Sequence, residues 1–556
     1  MNISGRLAQI LKCRGTSNHF VHQLTRKYGQ NVTVSERTLT GRIISYLDQN
    51  RGDTSAKLSN DLFKSLAERP DLINGTIKFQ ELRSCIKFCG KNNDYLLTAI
   101  DKECCNRIYD LNVQETCDIL HSLVQAVPNR IFKTNYYKLA IRNMYNNINR
   151  LSKDELIQLM FFAALEKKSK KSQTIIKKCL QSLHSYINEL DESQLCIISN
   201  SLFKTSTKAS ELFLSCIHHS INNNLGILKD SLLFISFVKV LRQNRYQSEE
   251  LLSSITCGMF FNQTTHIYSL TALGHILALY SDFYYYDKNL YQHFVEISLK
   301  KLKESTYTPR TDFYLPEDIR TKDINRLLWC LANINYQELK KDQIDIIISK
   351  LKERINGGDH LIKPDIYIEI FLYLWMLKYR AYEFVPFILT QDNISRIQDS
   401  NLPVKQRLNL LLSCIYYEDP QLFKKLNISP LRTTSYKYEM QINKRPLLQR
   451  VYDSLKVMAK SHSINRFEMG IQIPHLNIVG ITGYKRKIYK TVHVEVLDET
   501  TSVKNEENLP HGLMDLKLRI LDKMEEGLIV IDSEDICEMT EYELQKHLEE
   551  SINLVT

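Results

Sequence analysis

Glycine and proline are scarce in this chain of 556 residues, which contains 17 of the first and 12 of the second. Glycine weakens a helix and proline removes one of its hydrogen bonds, so long helices tolerate few of either. No apolar run approaches the ~18 residues that a membrane-spanning helix needs. The composition therefore predicts a mostly helical protein with short turns and no membrane span.

Metal-ligand spacing is absent among the 13 cysteines, none of which forms a CxxC pair. Most of them stand inside apolar helical runs, as Cys179 and Cys330 do, where cysteine acts as a small apolar residue. We predict that all are reduced, as in a reducing compartment, and that the protein has no metal and no cofactor.

Acidic residues are missing from the first 35 positions, and the first acid is Glu36. The same segment contains several Ser and Thr residues and five cations: Arg6, Lys12, Arg14, Arg26 and Lys27. This composition is typical of a mitochondrial transit peptide. We therefore predict a presequence over residues 1–35 and a location in the mitochondrial matrix.

The charge is uneven along the chain. Leu497 to Thr556 contains 16 acidic and 5 basic residues, so the formal charge of +10 leaves about +21 on residues 1–496. A strongly basic, elongated body favours a polyanionic partner, because lysine and arginine release the counterions condensed on phosphates.

Leucine or isoleucine recurs with spacings of 38 to 42 residues, apart from one gap of 52, at Leu111, Leu151, Leu190, Leu228, Ile267, Ile319 and Leu361. We call these residues the leaders. Apolar residues tend to follow five, eight, nine and twelve places after each of the first five, which is one face of an α-helix. A second amphipathic stretch completes each unit, and such helical hairpins bury their apolar faces by stacking. The pattern predicts an α-solenoid over residues 36–400.

The pattern changes near residue 470. The runs "HLNIVGI", "VHVEVL" and "GLIVID" read as strands, "GLMDLKLRILDKM" reads as a helix, and a last helix is expected with Ser533 as its N-cap. A small α/β domain is therefore predicted over residues 469–556, after helical segments over residues 401–468.

These last residues resemble a RAP domain, the module that ends the FAST kinase domain-containing proteins of mitochondria. The resemblance lies in "VHVEVLDE" from Val492, in Gly512, Lys517, Arg519 and Leu521, and in "GLIVID" followed by "SEDI". The stretches "RLNLLLSCIYYEDPQLFKKL" and "RPLLQRVYDSLK" are similar to the FAST segments that precede it in that family.

The resemblance implies a mitochondrial RNA-binding protein that acts in the processing, stability or translation of organellar transcripts. It adds Lys517 and Arg519 to the predicted RNA contacts. Despite the family's name, the sequence predicts no kinase, because it lacks a phosphate-covering glycine loop, a strand lysine and an HRD-type base.

The RAP fold is also similar to metal-dependent nucleases, which makes Glu495 a weak catalytic candidate. An amine is needed two residues further on, where Leu497 stands, and Asn477 occupies the expected place of a first acid. Magnesium is typically held through one or two carboxylates, so this set would bind it poorly. We predict a protein that is not an enzyme, with a metal-dependent RNase as an alternative.

Cations interleaved with aromatic residues mark the predicted RNA contacts, because the rings can stack on unpaired bases. The densest cluster contains Tyr484, Lys485, Arg486, Lys487, Tyr489 and Lys490, and the repeats add Lys138, Arg142, Arg242 and Arg245. The expected partner is mainly single-stranded RNA, with the C-terminal domain docking RNA or a processing protein. A solenoid scaffold that binds proteins is the other alternative.

Overall fold

The computed structural model describes residues 39–49, 69–88, 94–128, 130–307, 318–399, 402–427, 439–459, 464–485, 491–506, 509–524 and 526–555. The predicted presequence lies outside these ranges. The chain divides into two compact units, one with residues 1–223 and 232–244, the other with residues 224–231 and 245–556. Within the described ranges, no helix has the length and apolar character needed to cross a membrane.

The described part of the first unit contains helices and no strand. Its helices are α1 (Leu39–Gln49), α2 (Phe79–Phe88), α3 (Asp94–Asn106), α4 (Val113–Ala126), α5 (Asn135–Asn146), α6 (Lys153–Ala163), α7 (Lys170–Leu183), α8 (Glu192–Thr205), α9 (Glu211–Asn223) and α10 (Ser231–Asn244).

The second unit continues the helical pairs. It contains α11 (Glu249–Asn262), α12 (Leu270–Asp282), α13 (Lys288–Glu304), α14 (Thr321–Asn333), α15 (Lys341–Asn356), α16 (Asp359–Ile362), α17 (Pro364–Met376), α18 (Val385–Ile388), α19 (Gln391–Gln398), α20 (Leu402–Glu418), α21 (Pro420–Leu426) and α22 (Glu439–Ile442).

Six of the seven leaders stand just before the first helix of a pair, and Leu361 lies in the short helix α16 just before α17. The residue after a leader often caps the helix. The side chains of Asn112 and Asp191 accept hydrogen bonds from the third helical amide, at 2.9 Å and 2.8 Å. Ser152 caps α6 in the same way. A side chain that satisfies an otherwise unpaired amide fixes where a helix begins. The regular spacing in the sequence therefore records repeated helix starts.

The predicted apolar faces are buried, which confirms the helical-repeat prediction. The positions that follow the leaders include Ile119, Leu120, Leu123, Leu156, Leu159, Met160, Leu195, Ile198, Leu202, Phe237, Val240 and Ile276, all of them buried. In both compact units, the first helices of successive helical pairs pack directly on one another, as α6 does on α8 and α14 does on α17. Every cysteine that the structure describes is free, and seven of them are buried.

A four-stranded sheet closes the second unit, as predicted for a small α/β domain. It contains β1 (Ile464–Ile471), β2 (Val479–Lys485), β3 (Thr491–Leu497) and β4 (Gly527–Asp532) in the order β1-β2-β3-β4. The first three strands are antiparallel, and β4 pairs parallel with β3. Helices α23 (Pro446–Met458), α24 (Gly512–Lys523), α25 (Ser533–Cys537) and α26 (Glu541–Val555) surround it.

Four details of this region differ from the sequence predictions. Strand β1 was not predicted, and the strand predicted from His475 begins only at Val479. The last helix is broken into α25 and α26, because Glu538 to Thr540 leave the helical path. The N-cap is Asp532 rather than Ser533: the Asp532 carboxylate accepts a hydrogen bond from the Glu534 amide at 3.0 Å.

The two faces of the sheet differ in chemistry. Val492, Val494 and Val496 of β3 enter an apolar core built with α23 and α26. Alternate residues of a strand point to opposite faces, so His493 and Glu495 face the other side, where α24 lies. Helix α24 also packs against α14, α17 and α20. The polar face of β3 is therefore covered inside the second unit.

Candidate nucleic-acid interface

The predicted cationic and aromatic cluster begins at the end of β2. Tyr484 and Lys485 are half-buried there, while Arg486, Lys487, Tyr489 and Lys490 lie outside the described residues. Strand β1 adds Arg466, whose guanidinium carbon lies 5.0 Å from the centre of the Tyr484 ring. Burial raises the pKa of Tyr484, and the Glu468 carboxylate raises it further. The sheet thus brings one further cation to the predicted cluster.

Lys138 and Arg142 occupy successive turns of α5, and both side chains are exposed. Residues four positions apart lie on one face of a helix, so the two charges form a short cationic strip. Tyr145, one turn further on, is half-buried. This arrangement agrees with the spacing on which the prediction rested.

Arg242 and Arg245 differ in their surroundings. Arg242 lies in the last turn of α10 in the first unit and is half-buried. Arg245 follows that helix, belongs to the second unit and is exposed. Of these two arginines, only Arg242 belongs to the first unit.

Lys517 is not available to RNA, which corrects the prediction made for it. Its side chain is 1% exposed, and its ammonium nitrogen lies 2.6 Å from the Glu495 carboxylate, which is fully buried. Burial lowers the pKa of Lys517 to about 8 against the opposing effect of Glu495. The residue forms an internal ion pair between α24 and β3.

Arg519 is also engaged inside the second unit, so the same correction applies. Its guanidinium donates to the Glu418 carboxylate at 2.6 Å and to the backbone oxygens of Met376 and Trp375 at 3.2 Å and 3.1 Å. Arg380 reaches the same carboxylate at 3.3 Å. Arg519 thereby fastens α24 to α17 and α20.

Glu495 does have an amine beside it, although Leu497 on its own strand offers none. The amine is that of Lys517 on α24. A Cβ atom at Gly480 would lie only 2.0 Å from the Glu495 carboxylate oxygen, so the neighbouring strand approaches closely. Asn477, which occupies the expected place of a first acid, is exposed. Among the described residues, no group of three or more His, Cys, Asp or Glu side chains could hold a metal ion. Glu495 and Lys517 therefore form a buried carboxylate–ammonium pair between β3 and α24.

A cluster of lysines in the first unit was not found from the sequence. Lys204 lies in the last turn of α8, and its ammonium group donates to the Thr40 hydroxyl at 3.2 Å. Lys239 of α10 lies 5.5 Å from the centre of the Phe203 ring, which is 37% exposed. Lys167 follows α6 and is exposed. We call Lys167, Lys204 and Lys239, with Phe203, the lysine cluster.

The lysine cluster concentrates positive charge at a partly buried position. Burial is the largest cause that lowers the pKa of Lys204 to about 8, and the charges of Lys167 and Lys239 contribute to the same shift. A cation in that position is stabilised by a nearby anion, which raises its pKa again. The cluster is thus electrostatically suited to a phosphate, and Phe203 offers a ring beside it.

The leaders contain a signal that could have identified Lys167 and Lys204, though not Lys239. Lys204 and Arg242 each stand 14 residues after a leader, and Lys167 stands 16 residues after one. The positions fall at the carboxyl ends of α6, α8 and α10, where cations also compensate the helix dipole.

Comparison of the chain with protein-family models and with curated proteins finds no match.

Proposed function

We propose that this protein binds single-stranded RNA in mitochondria and acts in the processing, stability or translation of organellar transcripts. The observation that carries the proposal is the lysine cluster, in which the charges of Lys167 and Lys239 act on Lys204 and Lys239 lies 5.5 Å from the centre of the exposed Phe203 ring. Single-strand binders combine cations that follow the backbone with rings on which bases stack, each stack contributing about 1–3 kcal/mol. The charge of about +21 on residues 1–496 favours the same partner.

The C-terminal module supports this function as a second, smaller contact. Its candidate residues are Arg466, Tyr484 and Lys485 at one end of the sheet, since Lys517 and Arg519 serve internal contacts. The resemblance to the RAP domains of FAST kinase domain-containing proteins is the reason for placing the activity in mitochondria. We propose a binding role for this module and no catalytic one.

Affinity for single-stranded RNA is expected to fall with salt, with a log–log slope of about −0.7 for each phosphate neutralised. Replacing Lys167, Lys204 and Lys239 by Met should flatten that slope by about 2 and weaken binding about tenfold or more at roughly 0.1 M salt. Fluorescence anisotropy of a labelled oligonucleotide over a salt series measures both quantities.

A matched control replaces Lys102, Lys424 and Lys425 by Met. These three lysines are exposed, so the control removes the same amount of charge. It should change the slope much less, and an equal effect would show that only the total charge matters.

The RNA should be recovered at full length with Mg²⁺, Mn²⁺ or a chelator. Divalent-dependent cleavage by the purified chain would instead favour an RNase acting through Glu495.

A reporter fused to residues 1–35 is expected to enter mitochondria, because this acid-free segment carries five cations that the membrane potential draws inward. Changing Arg6, Lys12 and Arg14 to Glu should keep it in the cytosol. Fluorescence microscopy with a mitochondrial marker measures the distribution. A cytosolic reporter with the unchanged segment would contradict the proposed location.

The alternative of a protein-binding scaffold makes a different prediction about the effect of salt on binding. A protein-binding solenoid would use apolar grooves, and its affinity for a peptide would depend weakly on salt. Crosslinking to RNA in cells, followed by sequencing of the bound transcripts, separates the alternatives and identifies the target. Absence of crosslinked RNA would favour the scaffold.

A further inference from the structure

Helix α1 packs against α8, although more than 140 residues separate the two in the sequence. Three apolar side chains of α1, Ile43, Ile44 and Leu47, are buried, with exposures of 3%, 4% and 7%. A helix of 11 residues is only marginally stable alone in water. The helical form of α1 therefore depends on its contacts with the first unit.

Two hydrogen bonds attach α1 to opposite ends of α8. The Tyr46 hydroxyl donates to the Asp191 carboxylate, which caps the start of α8, at 3.3 Å. The Thr40 hydroxyl accepts from Lys204 in the last turn of α8 at 3.2 Å. The two helices therefore run in opposite directions, and the start of α1 lies at the lysine cluster.

Lys204 thus already has a partner in the folded chain. Its ammonium group points to Thr40 and is held in a partly buried position beside α1. The Thr40 hydroxyl takes one of the three N–H donors of this ammonium group, and α1 lies beside it, so a phosphate that approaches Lys204 from this side meets α1. RNA and α1 consequently make opposing demands on one side chain.

We infer that the face of α8 is a binding surface for an amphipathic helix, that α1 is its resident occupant, and that α1 competes with RNA for Lys204. This inference rests on the proposed function. The apparent affinity for RNA is reduced when the form of the protein that can bind RNA is only partly populated. The coupling is reciprocal, so RNA weakens the docking of α1 as much as α1 weakens RNA binding. The first unit therefore contains its own inhibitor.

Replacing Ile43 and Leu47 by Asp should release α1, because two charges would have to be buried in an apolar contact. RNA affinity is then expected to rise about threefold or more, although the variant carries two additional negative charges. Fluorescence anisotropy with the full chain measures the change. The control replaces Phe261 and Leu554, which are 85% and 87% exposed, by Asp. It matches the charge and should leave affinity unchanged or slightly lower.

Trypsin provides a readout that does not depend on affinity. Arg42 is exposed on α1, and cleavage after it requires the helix to open. Saturating RNA should accelerate that cleavage in the wild-type chain, and the Ile43→Asp/Leu47→Asp variant should be cleaved faster without RNA. Mass spectrometry of the fragments identifies the bond.

The outcomes distinguish this inference from the proposed function. If the wild-type chain binds RNA, but neither the release of α1 nor the RNA-dependent cleavage is seen, the inference is wrong and RNA binding stands. If only the released variant binds RNA, the inference is supported strongly. If neither chain binds RNA even at low salt, both proposals fail, whatever trypsin shows of α1.

Discussion

Replacing Glu495 by Gln is expected to destabilise the fold of the second unit by about 3–5 kcal/mol, the usual cost of removing one partner of a buried ion pair. The exposures of Lys517 and Glu495 are 1% and 0%, so water cannot take over the role of the lost carboxylate. Because the chain has two units, unfolding is best followed by a local probe. Trp375 is suitable, since its backbone oxygen accepts a hydrogen bond from Arg519 of α24.

The stability that the Glu495→Gln variant loses should be largest at about pH 7 and smaller at higher pH. Burial already lowers the pKa of Lys517 from its usual 10.5 to about 8, and removal of the Glu495 carboxylate should lower it further. Between these pKa values the unfolded chain binds more protons than the folded one, so the stability of the Glu495→Gln variant should rise with pH. It should be more stable at about pH 9 than at about pH 7.

Two further variants make this result specific. Adding Lys517→Met removes the unpaired charge, so the double variant should recover most of the lost stability and lose the rise with pH. Glu550→Gln breaks an exposed pair with Lys546, whose atoms are 4.0 Å apart, and should cost less than about 1 kcal/mol. A Glu495→Gln chain as stable as wild type at about pH 7 would disprove the structural role of the pair.

RNA affinity is expected to fall by up to about tenfold as the pH rises from about 7 to about 9, because Lys204 loses its proton in that interval. The lowered pKa of about 8 arises from burial and from Lys167 and Lys239, while Thr40 on α1 contributes only a neutral hydroxyl. A bound phosphate raises the pKa of Lys204 again, so binding takes up a proton above about pH 8.

Lys204→Arg tests this explanation, since arginine keeps its charge throughout the interval. The variant should bind RNA with nearly constant affinity between about pH 7 and about pH 9, whereas Lys102→Arg at an exposed position should keep the wild-type pH dependence. The same slope in the wild-type chain and in Lys204→Arg would remove Lys204 from the interface.

Local signals explain why the helical repeats could be predicted. Asn112, Ser152 and Asp191 each cap a helix through a side chain that bonds a backbone amide three residues away. Apolar residues at helical spacing follow at once, as Leu195, Ile198 and Leu202 do in α8. Both signals lie within one or two turns of the chain, so no tertiary information is needed to read them.

The C-terminal sheet was predicted less completely, for identifiable reasons. Strand β1, "INRFEMGI", alternates only from Phe467 to Ile471, and its pairing with β2 shifts register between Ile464 and Arg466. The end of β4 supplied Asp532 as the cap of α25, one residue before the predicted Ser533. Which of two adjacent polar residues caps a helix depends on where the preceding strand ends.

The sequence alone determined the helical hairpins, their spacing and the uneven charge, since these depend on composition and on contacts within a few turns. Tertiary structure decided which cations are accessible. The strand position of Leu497 indicated that Glu495 lacked an amine, yet α24 brings Lys517 to it across 22 residues of chain. Lys204 was one lysine among many until α10 and α1 placed Lys239 and Thr40 beside it. Burial and the sum of neighbouring charges are properties of the folded arrangement, which spacing along a single chain does not contain.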